Sequence, residues 1–301
     1  MKKQFKYFLL VLAFIKFGCT EPTPTEIYVP EVPSDAQVDI EVLSPEPDLY
    51  VYQNGYDSIG YVAPTPTNKT IINLSGIRNT YKQYTVKRTS AFALFIDESV
   101  KATTPDGRTI GYLSRLIGKV SFNNVKAIPL PRIVKYKWNG TVQDTLLGWI
   151  HYFSQKYGTS PLFPFPYNSS VKFRLVQFME ENVIIDIPTP EEIIGNVLVQ
   201  GSVRNKDLKI TLKWNPTHVG NIALVVGGMN PNDFSPFPLY RIRVKDTGEV
   251  NIPRSLLKTF PFNRFKQMVI SFVRQRFVGD PLSGDQIIVA QSIHNIKIDV
   301  P

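Results

Sequence analysis

The chain of 301 residues has one cysteine, Cys19, and only three histidines. A single cysteine excludes an intrachain disulfide and the multi-thiolate sites that hold structural zinc. The histidines, His151, His218 and His294, are far apart, and none stands in an H-E-x-x-H or H-x-H motif. The sequence therefore predicts no metal site and no cofactor.

Motifs of the common enzyme classes are also missing. No serine stands in a G-x-S-x-G motif, and Gly227-Gly228 precedes Met229 rather than the Lys-Ser/Thr pair of a phosphate loop. A hydrolase needs only two carboxylates, but acidic pairs such as Glu180-Glu181 adjoin turn-forming residues. We predict no catalytic residue and a protein that is not an enzyme, with a carboxylate-dependent hydrolase as the least favoured alternative.

Positive charge is concentrated at the N-terminus. The formal net charge is +9, of which four charges belong to Lys2, Lys3, Lys6 and Lys16, so the chain from Cys19 onward carries +5. An excess of this size does not indicate nucleic acid, and we expect no nucleic-acid partner.

The first 19 residues have the layout of an export signal: lysines, an apolar run from Tyr7 to Ile15, then Gly18-Cys19. The run is shorter than the roughly 20 residues that a membrane-spanning helix needs. This segment resembles Bacteroidetes-type lipoprotein signal peptides that are cut before a cysteine. The resemblance implies that residues 1–18 are removed and that Cys19 is lipidated. It also implies an outer-membrane location, facing either the periplasm or the cell surface. The alternatives are an ordinary cleaved signal and an uncleaved anchor.

Residues 19–37 are rich in proline and threonine and poor in residues that could fill a core. Such composition is typical of an extended, solvated tether.

From residue 38, β-branched and aromatic residues, short alternating runs and frequent turn signals predict a mainly all-β protein. We expect two β-rich domains, at 38–190 and 194–301, with a boundary near Pro188 to Glu192. The predicted strands are 38–42, 49–53, 83–87, 91–96, 119–122, 133–138, 171–176, 183–187, 208–214, 222–226, 239–244, 249–252, 268–276, 286–292 and 295–300. Asn139-Gly140 is one of the predicted turns.

One segment of the first domain has a helical pattern. Leu146, Trp149, Ile150, Phe153 and Tyr157 recur at spacings of three and four, which predicts one short helix over 145–157.

The second domain resembles the Ig-like or fibronectin-like modules of bacterial surface lipoproteins. The likeness rests on Trp214 at the end of a strand, a turn at Asp246-Thr247-Gly248, and a strand with a short helical corner at Ile252 to Leu257. It implies a seven-stranded β-sandwich.

Between Tyr240 and Arg276, nine basic residues stand against two acids. We interpret seven of them as a candidate patch for an anionic ligand, such as lipopolysaccharide phosphates, an acidic glycan or an acidic protein. The alternative is two ordinary solvated strand faces. These seven residues, called the basic set below, are Arg241, Arg243, Lys245, Arg264, Lys266, Arg274 and Arg276.

The sequence thus favours a non-enzymatic, lipid-anchored cell-envelope protein with a binding or structural role, for example as an accessory subunit of an outer-membrane complex. Its expected partners are the membrane, through the lipid, and a protein or glycan. The alternative role is carbohydrate binding for nutrient uptake, through aromatic residues such as Trp138, Trp149 or Tyr167.

Overall fold

Strands make up most of the described chain, as the sequence predicts. The computed structural model describes residues 39–43, 51–52, 70–107, 109–139, 141–154, 163–178, 181–231, 236–279 and 286–299. The predictions on the export signal, Cys19 and the tether lie outside these residues. The strands are β1 (Asp39–Val42), β2 (Val51–Tyr52), β3 (Thr70–Tyr81), β4 (Tyr84–Thr103), β5 (Thr109–Ser114), β6 (Gly118–Phe122), β7 (Val125–Lys126), β8 (Ile128–Trp138), β9 (Thr141–Ser154), β10 (Ser170–Gln177), β11 (Val183–Pro188), β12 (Gly195–Gln200), β13 (Lys209–Trp214), β14 (Asn221–Met229), β15 (Phe237–Lys245), β16 (Glu249–Asn251), β17 (Gln267–Val278) and β18 (Gln286–Asp299).

A large sheet of eleven described strands runs through the fold in the order β1-β15-β14-β17-β18-β3-β4-β5-β9-β8-β2. The C-terminal strand β18 lies near its middle. It pairs antiparallel with β17 on one side and parallel with β3 on the other. Strands from both ends of the chain therefore complete the centre of the sheet.

Two smaller sheets cover one face of the large sheet, which we call the inner face. The four-stranded sheet β11-β10-β6-β7 encloses a core that includes Leu74, Ala93 and Phe173. The three-stranded sheet β12-β13-β16 encloses a second core that includes Leu212 and Phe272. Even-numbered residues of β18 share the inner face and contribute to both cores: Ile288 and Ala290 to the first, and Ile296, further along the strand, to the second.

In the C-terminal half, β12, β13 and β16 face β14, β15, β17 and β18 across the second core. This arrangement is consistent with a β-sandwich. The predicted helical corner is confirmed: helix α1 (Arg254–Thr259) follows Pro253 and buries Leu256 and Leu257.

The predicted helix over 145–157 is wrong, because residues 141–154 form β9, which pairs antiparallel with β8. Residues 155–157 lie outside the described residues. The cause of the error is burial on both faces of the strand: Phe153 belongs to the inner core, whereas Ile150 packs in a cluster on the outer face. Gly148, at φ +97, adds an irregularity. The burial of both faces and this irregularity remove the alternation of apolar and polar residues that marks a half-buried strand.

The segment at the predicted domain boundary links β11 to β12 and lies against the large sheet. Residues 38–301 form one compact unit, and the pairing of β18 with β3 carries the large sheet across the boundary. Each half still has its own small sheet and its own core.

Candidate functional site

The residues of the basic set do not lie together on one face of the large sheet. On β15, Tyr240, Ile242 and Val244 enter the inner core, so Arg241, Arg243 and Lys245 lie on the outer face. Edge strand β1 places acids opposite two of these cations. Glu41 Oε2 is 2.8 Å from Arg241 Nη1, and Asp39 is the register partner of Arg243. Arg241 is consequently buried in an ion pair, whereas Arg243 and Lys245 are exposed.

Arg274 lies on the inner face and is also buried. Its Nη2 is 3.0 Å from Asp246 Oδ2, and the same nitrogen donates to the backbone carbonyl of Asn215 at 2.6 Å. Trp214 Nε1 donates to Asp246 Oδ1 at 2.7 Å, and Thr217 Oγ1 donates to Asp246 Oδ2 at 2.5 Å. We call Asp246, Arg274, Trp214 and Thr217 the Asp246 network. It fixes the end of β13 against the β15–β16 turn and β17.

The other three members of the basic set, Arg264, Lys266 and Arg276, are exposed. The Arg264 guanidinium lies over the rings of Phe237 and Phe265, at 5.5 and 5.2 Å from their centroids. The structure therefore separates the set into two buried arginines with structural partners and five exposed cations at several places.

Residues 189–194, which we call the crossing segment, are held by side chains of the large sheet. Arg78 Nη2 donates to Glu192 Oε1 at 2.8 Å, and Lys87 Nζ donates to Oε2 at 3.2 Å. Partial burial opposes ionisation of Glu192, but the hydrogen bonds from Lys87 and Arg78 lower its pKa overall. Ser292 Oγ accepts the N–H of Ile193 at 2.8 Å.

His294 anchors the start of β12. The N–H of Gly195 donates to His294 Nδ1 at 2.8 Å, so Nδ1 is unprotonated and Nε2 carries the proton that it donates to Thr80 Oγ1 at 2.9 Å. Burial, aided by the charge of Arg78, lowers the pKa of His294 to about 4. A histidine that is neutral and bonded at both nitrogens is a structural residue.

Beside this anchor lies an open cleft of about 350 Å³. One wall is the beginning of β12, and the other consists of the ends of β3 and β18. Lys297 Nζ lies 4.0 Å from the centroid of the Tyr81 ring, and Lys82 Nζ is 3.7 Å from Asp299 Oδ2. The lining residues are Thr80, Tyr81, Lys82, Gly195, Asn196, Val197, His294, Ile296, Lys297, Ile298 and Asp299.

Sequence reasoning missed this cleft because it predicted neither β3 nor β12. Lys82 sits at φ +54 in the tight turn between β3 and β4, and Lys297 lies within the predicted strand 295–300. The apolar run in Thr70–Tyr81 could have indicated a strand. Its proximity to β12 follows only from the fold.

The remaining chemistry is sparse in the described part of the chain. Within it, no three His, Cys, Asp or Glu side chains are close enough to hold a metal ion. His151 is buried beside Phe95, 5.9 Å between ring centroids, and burial lowers its pKa. Trp149 of β9 is 40% exposed. Among the described residues, no helix combines the length and apolar character needed to span a bilayer.

No protein-family model matches the chain, and no curated protein matches it.

Proposed function

We propose that this chain is a non-enzymatic cell-envelope protein, anchored to the outer membrane through a lipid on Cys19, that binds a partner macromolecule. The N-terminal pattern of lysines, apolar run and Gly18-Cys19 supports the anchor. The observation that carries the binding role is the edge of β12: within the part of the chain that the structure describes, this strand pairs with β13 alone, and it borders the cleft. Such an edge offers main-chain donors and acceptors to a second chain. The Ig-like character of the C-terminal half belongs to this proposal, and the sandwich arrangement of its strands supports it.

Mass spectrometry of the protein purified from membranes tests the anchor. The expected result is an N-terminal Cys19 that carries acyl chains, with residues 1–18 removed. A Cys19→Ala variant should leave the membrane fraction. An unmodified N-terminus at another residue would refute the anchor.

Cross-linking followed by co-purification from gently solubilised membranes tests the binding role. A specific partner should be recovered in stoichiometric amount. The protein alone in the eluate would refute the proposal.

A second candidate is carbohydrate binding, favoured by the exposure of Trp149. Aromatic rings that reach solvent provide stacking surfaces, whereas Trp214 is buried and serves as an internal reference. Polysaccharide should quench the tryptophan fluorescence of the chain but not that of a Trp149→Ala variant. Equal quenching in both proteins would exclude Trp149 as the binding residue.

Binding of an anionic ligand to the exposed cations of the basic set remains part of the proposal, and its test should change only those exposed residues. Arg241 and Arg274 are buried and ion-paired, so changing them would disturb the fold. Arg243→Glu combined with Lys245→Glu alters the exposed charge alone, and retention on heparin would report the effect.

A further inference from the structure

The edge of β15 in the large sheet is occupied by a short strand, β1, that precedes the folded body in the chain. The two strands pair antiparallel over four residues of β1. Just beyond them, the N–H of Leu43 donates to the carbonyl of Leu239 at 2.9 Å. Because directly bonded pairs alternate along an antiparallel ladder, the odd-numbered residues of both strands bond to each other. The main-chain groups of Leu239, Arg241 and Arg243 are therefore the ones that β15 offers at this edge.

Strand β1 contributes little to the packing of the protein. All four of its residues are exposed, and none belongs to either inner core. Ile40 and Val42 lie beside core residues of β15, yet they are 38% and 60% exposed. The strand is held by main-chain hydrogen bonds and by the ion pair between Glu41 and Arg241. Another strand with the same main-chain bonds could therefore replace β1 and leave both inner cores intact.

The outer face of β15 determines the chemistry of any strand at this edge. The buried Arg241 lies 2.8 Å from the Glu41 carboxylate. A strand without an acid at that position would leave the guanidinium buried without its carboxylate, which is strongly disfavoured. An acid opposite Arg243, where β1 has Asp39, adds an attractive cross-strand pair. The edge therefore selects a strand with acids at alternate positions, and β1 itself shows this pattern.

Strand β15 offers more charge than β1 neutralises. It continues to the exposed Lys245, whereas in the described part of the chain β1 pairs with it only as far as Arg243. In the same register, the residue opposite Lys245 would be Gln37, which is uncharged. A strand with a third acid at that position would gain an attraction that β1 lacks. Such a gain is needed, because a strand of the same chain has an effective concentration on the order of millimolar.

We propose that the β15 edge binds an extended acidic segment of a partner protein, which takes the place of β1 by strand exchange. The segment carries acids at three alternate positions, opposite Arg241, Arg243 and Lys245. Until it binds, β1 occupies the edge as an internal competitor. This rests on the proposed function and names an acidic polypeptide strand as the anionic ligand of the exposed cations on β15. Main-chain hydrogen bonds supply affinity, and the carboxylates supply selectivity.

The test uses the full chain in detergent, with arginine amides labelled for NMR, and a synthetic probe. The probe is a peptide with the sequence of residues 36–43 in which Gln37→Glu supplies the third acid. In a Glu41→Lys variant of the protein, β1 is repelled by Arg241 and the edge becomes available. Binding of the probe to this variant should shift the amides of Arg241 and Arg243 and protect them from exchange. The unchanged chain, in which β1 competes, should bind the probe roughly tenfold more weakly.

Glu249→Lys is the matched control, since Glu249 is an exposed acid of β16, outside this edge. It should bind the probe as weakly as the unchanged chain. Glu41→Gln, a milder change at the edge, should give an intermediate affinity. Equal binding to the Glu41→Lys and Glu249→Lys variants would refute strand exchange.

Two altered peptides test selection by charge. A peptide with lysine at its three acidic positions should not bind, and equal affinity for it would refute the selection. A peptide that keeps Gln37 should bind the Glu41→Lys variant roughly threefold more weakly than the probe does, as expected for one exposed pair. This difference should disappear when Lys245→Gln is added to the variant. A difference that persists would refute the role of Lys245.

Two outcomes separate this proposal from the broader one. If heparin is retained through Arg243 and Lys245 but the acidic peptide does not bind the Glu41→Lys variant, the anionic-ligand function stands and strand exchange is refuted. If no partner is recovered and neither heparin nor the peptide binds, the proposed function fails as well. A dimer of the unchanged chain that dissociates in the Glu41→Lys variant would show that a second copy exchanges β1, which also overturns the proposal.

Discussion

Neutralising Asp246 should destabilise the protein far more than breaking any exposed ion pair. Asp246 is 1% and Arg274 is 7% exposed at the side chain, and each bonds to further partners. Removing one member of a buried pair leaves the other charge without compensation, which costs about 3–5 kcal/mol. Asp246→Asn keeps the side-chain volume, so its cost reports the lost charge and the disturbed hydrogen bonds to Trp214 and Thr217.

A double-mutant cycle separates this electrostatic cost from general disruption. Arg274→Met should itself cost about 3 kcal/mol, because Asp246 then keeps only its neutral donors. The double variant Asp246→Asn with Arg274→Met contains no unpaired charge. It should cost at least 2 kcal/mol less than the sum of the two single changes.

Urea denaturation at equilibrium measures these free energies of unfolding, with circular dichroism and tryptophan fluorescence as the two signals. Lys213→Met is the control, since Lys213 Nζ and Glu249 Oε2 form an exposed pair at 3.1 Å. That change should cost below about 1 kcal/mol. Additive single costs in the double variant, or an Asp246→Asn cost similar to that of Lys213→Met, would refute the reasoning.

Two further predictions concern the region where β12 meets the large sheet. Because the pKa of His294 falls to about 4 on folding, the unfolded chain takes up a proton first as the pH drops below roughly 6.5. Stability should therefore be complete above that pH and decline toward pH 4, by on the order of 2 kcal/mol after allowance for solvent screening. Urea unfolding at several pH values should show this decline. His294→Gln should remove the part of the decline that comes from His294, and the part that comes from His151 should remain. A Cβ on Gly195 would lie 2.4 Å from the buried ring of Phe272, so Gly195→Ala should cost about 1–3 kcal/mol. Thermal melting checks this against Asn196→Ala, and equal melting temperatures would contradict it.

Local patterns predicted those strands that alternate and are bounded by turns. The β8–β9 connection is an example: Asn139, at φ +48, lies in the predicted turn between Trp138 and Thr141. The same turn argued against the predicted helix, because a two-residue hairpin connection requires a strand on its far side. The three-and-four spacing of apolar residues outweighed that signal and led to the error.

Strands that are buried on both faces were missed or predicted with wrong bounds. Strand β3 runs through the centre of the large sheet, and its sequence Ile71, Ile72, Asn73, Leu74, Ser75 does not alternate. Strands β4 and β18 were each predicted as two short strands, because polar residues such as Arg88 and His294 interrupt their apolar runs.

The burial and pairing of charged residues could not be predicted, because they depend on contacts between residues far apart in the chain. Arg274 looked exposed because it alternates with Arg276, yet Asp246, 28 residues away, allows it to be buried. The β12 edge and its cleft require β18, β3 and the crossing segment to be in place. No local pattern contains that information.

The central position of β18 has a consequence for the order in which the protein is completed. Synthesis begins at the N-terminus, so β3 and β17 exist before the strand that joins them through 12 register pairs each. Until residues 286–299 arrive, both strands present long unpaired edges, which are prone to pair with other chains. The nascent protein therefore depends on protection from aggregation until residues 286–299 are available.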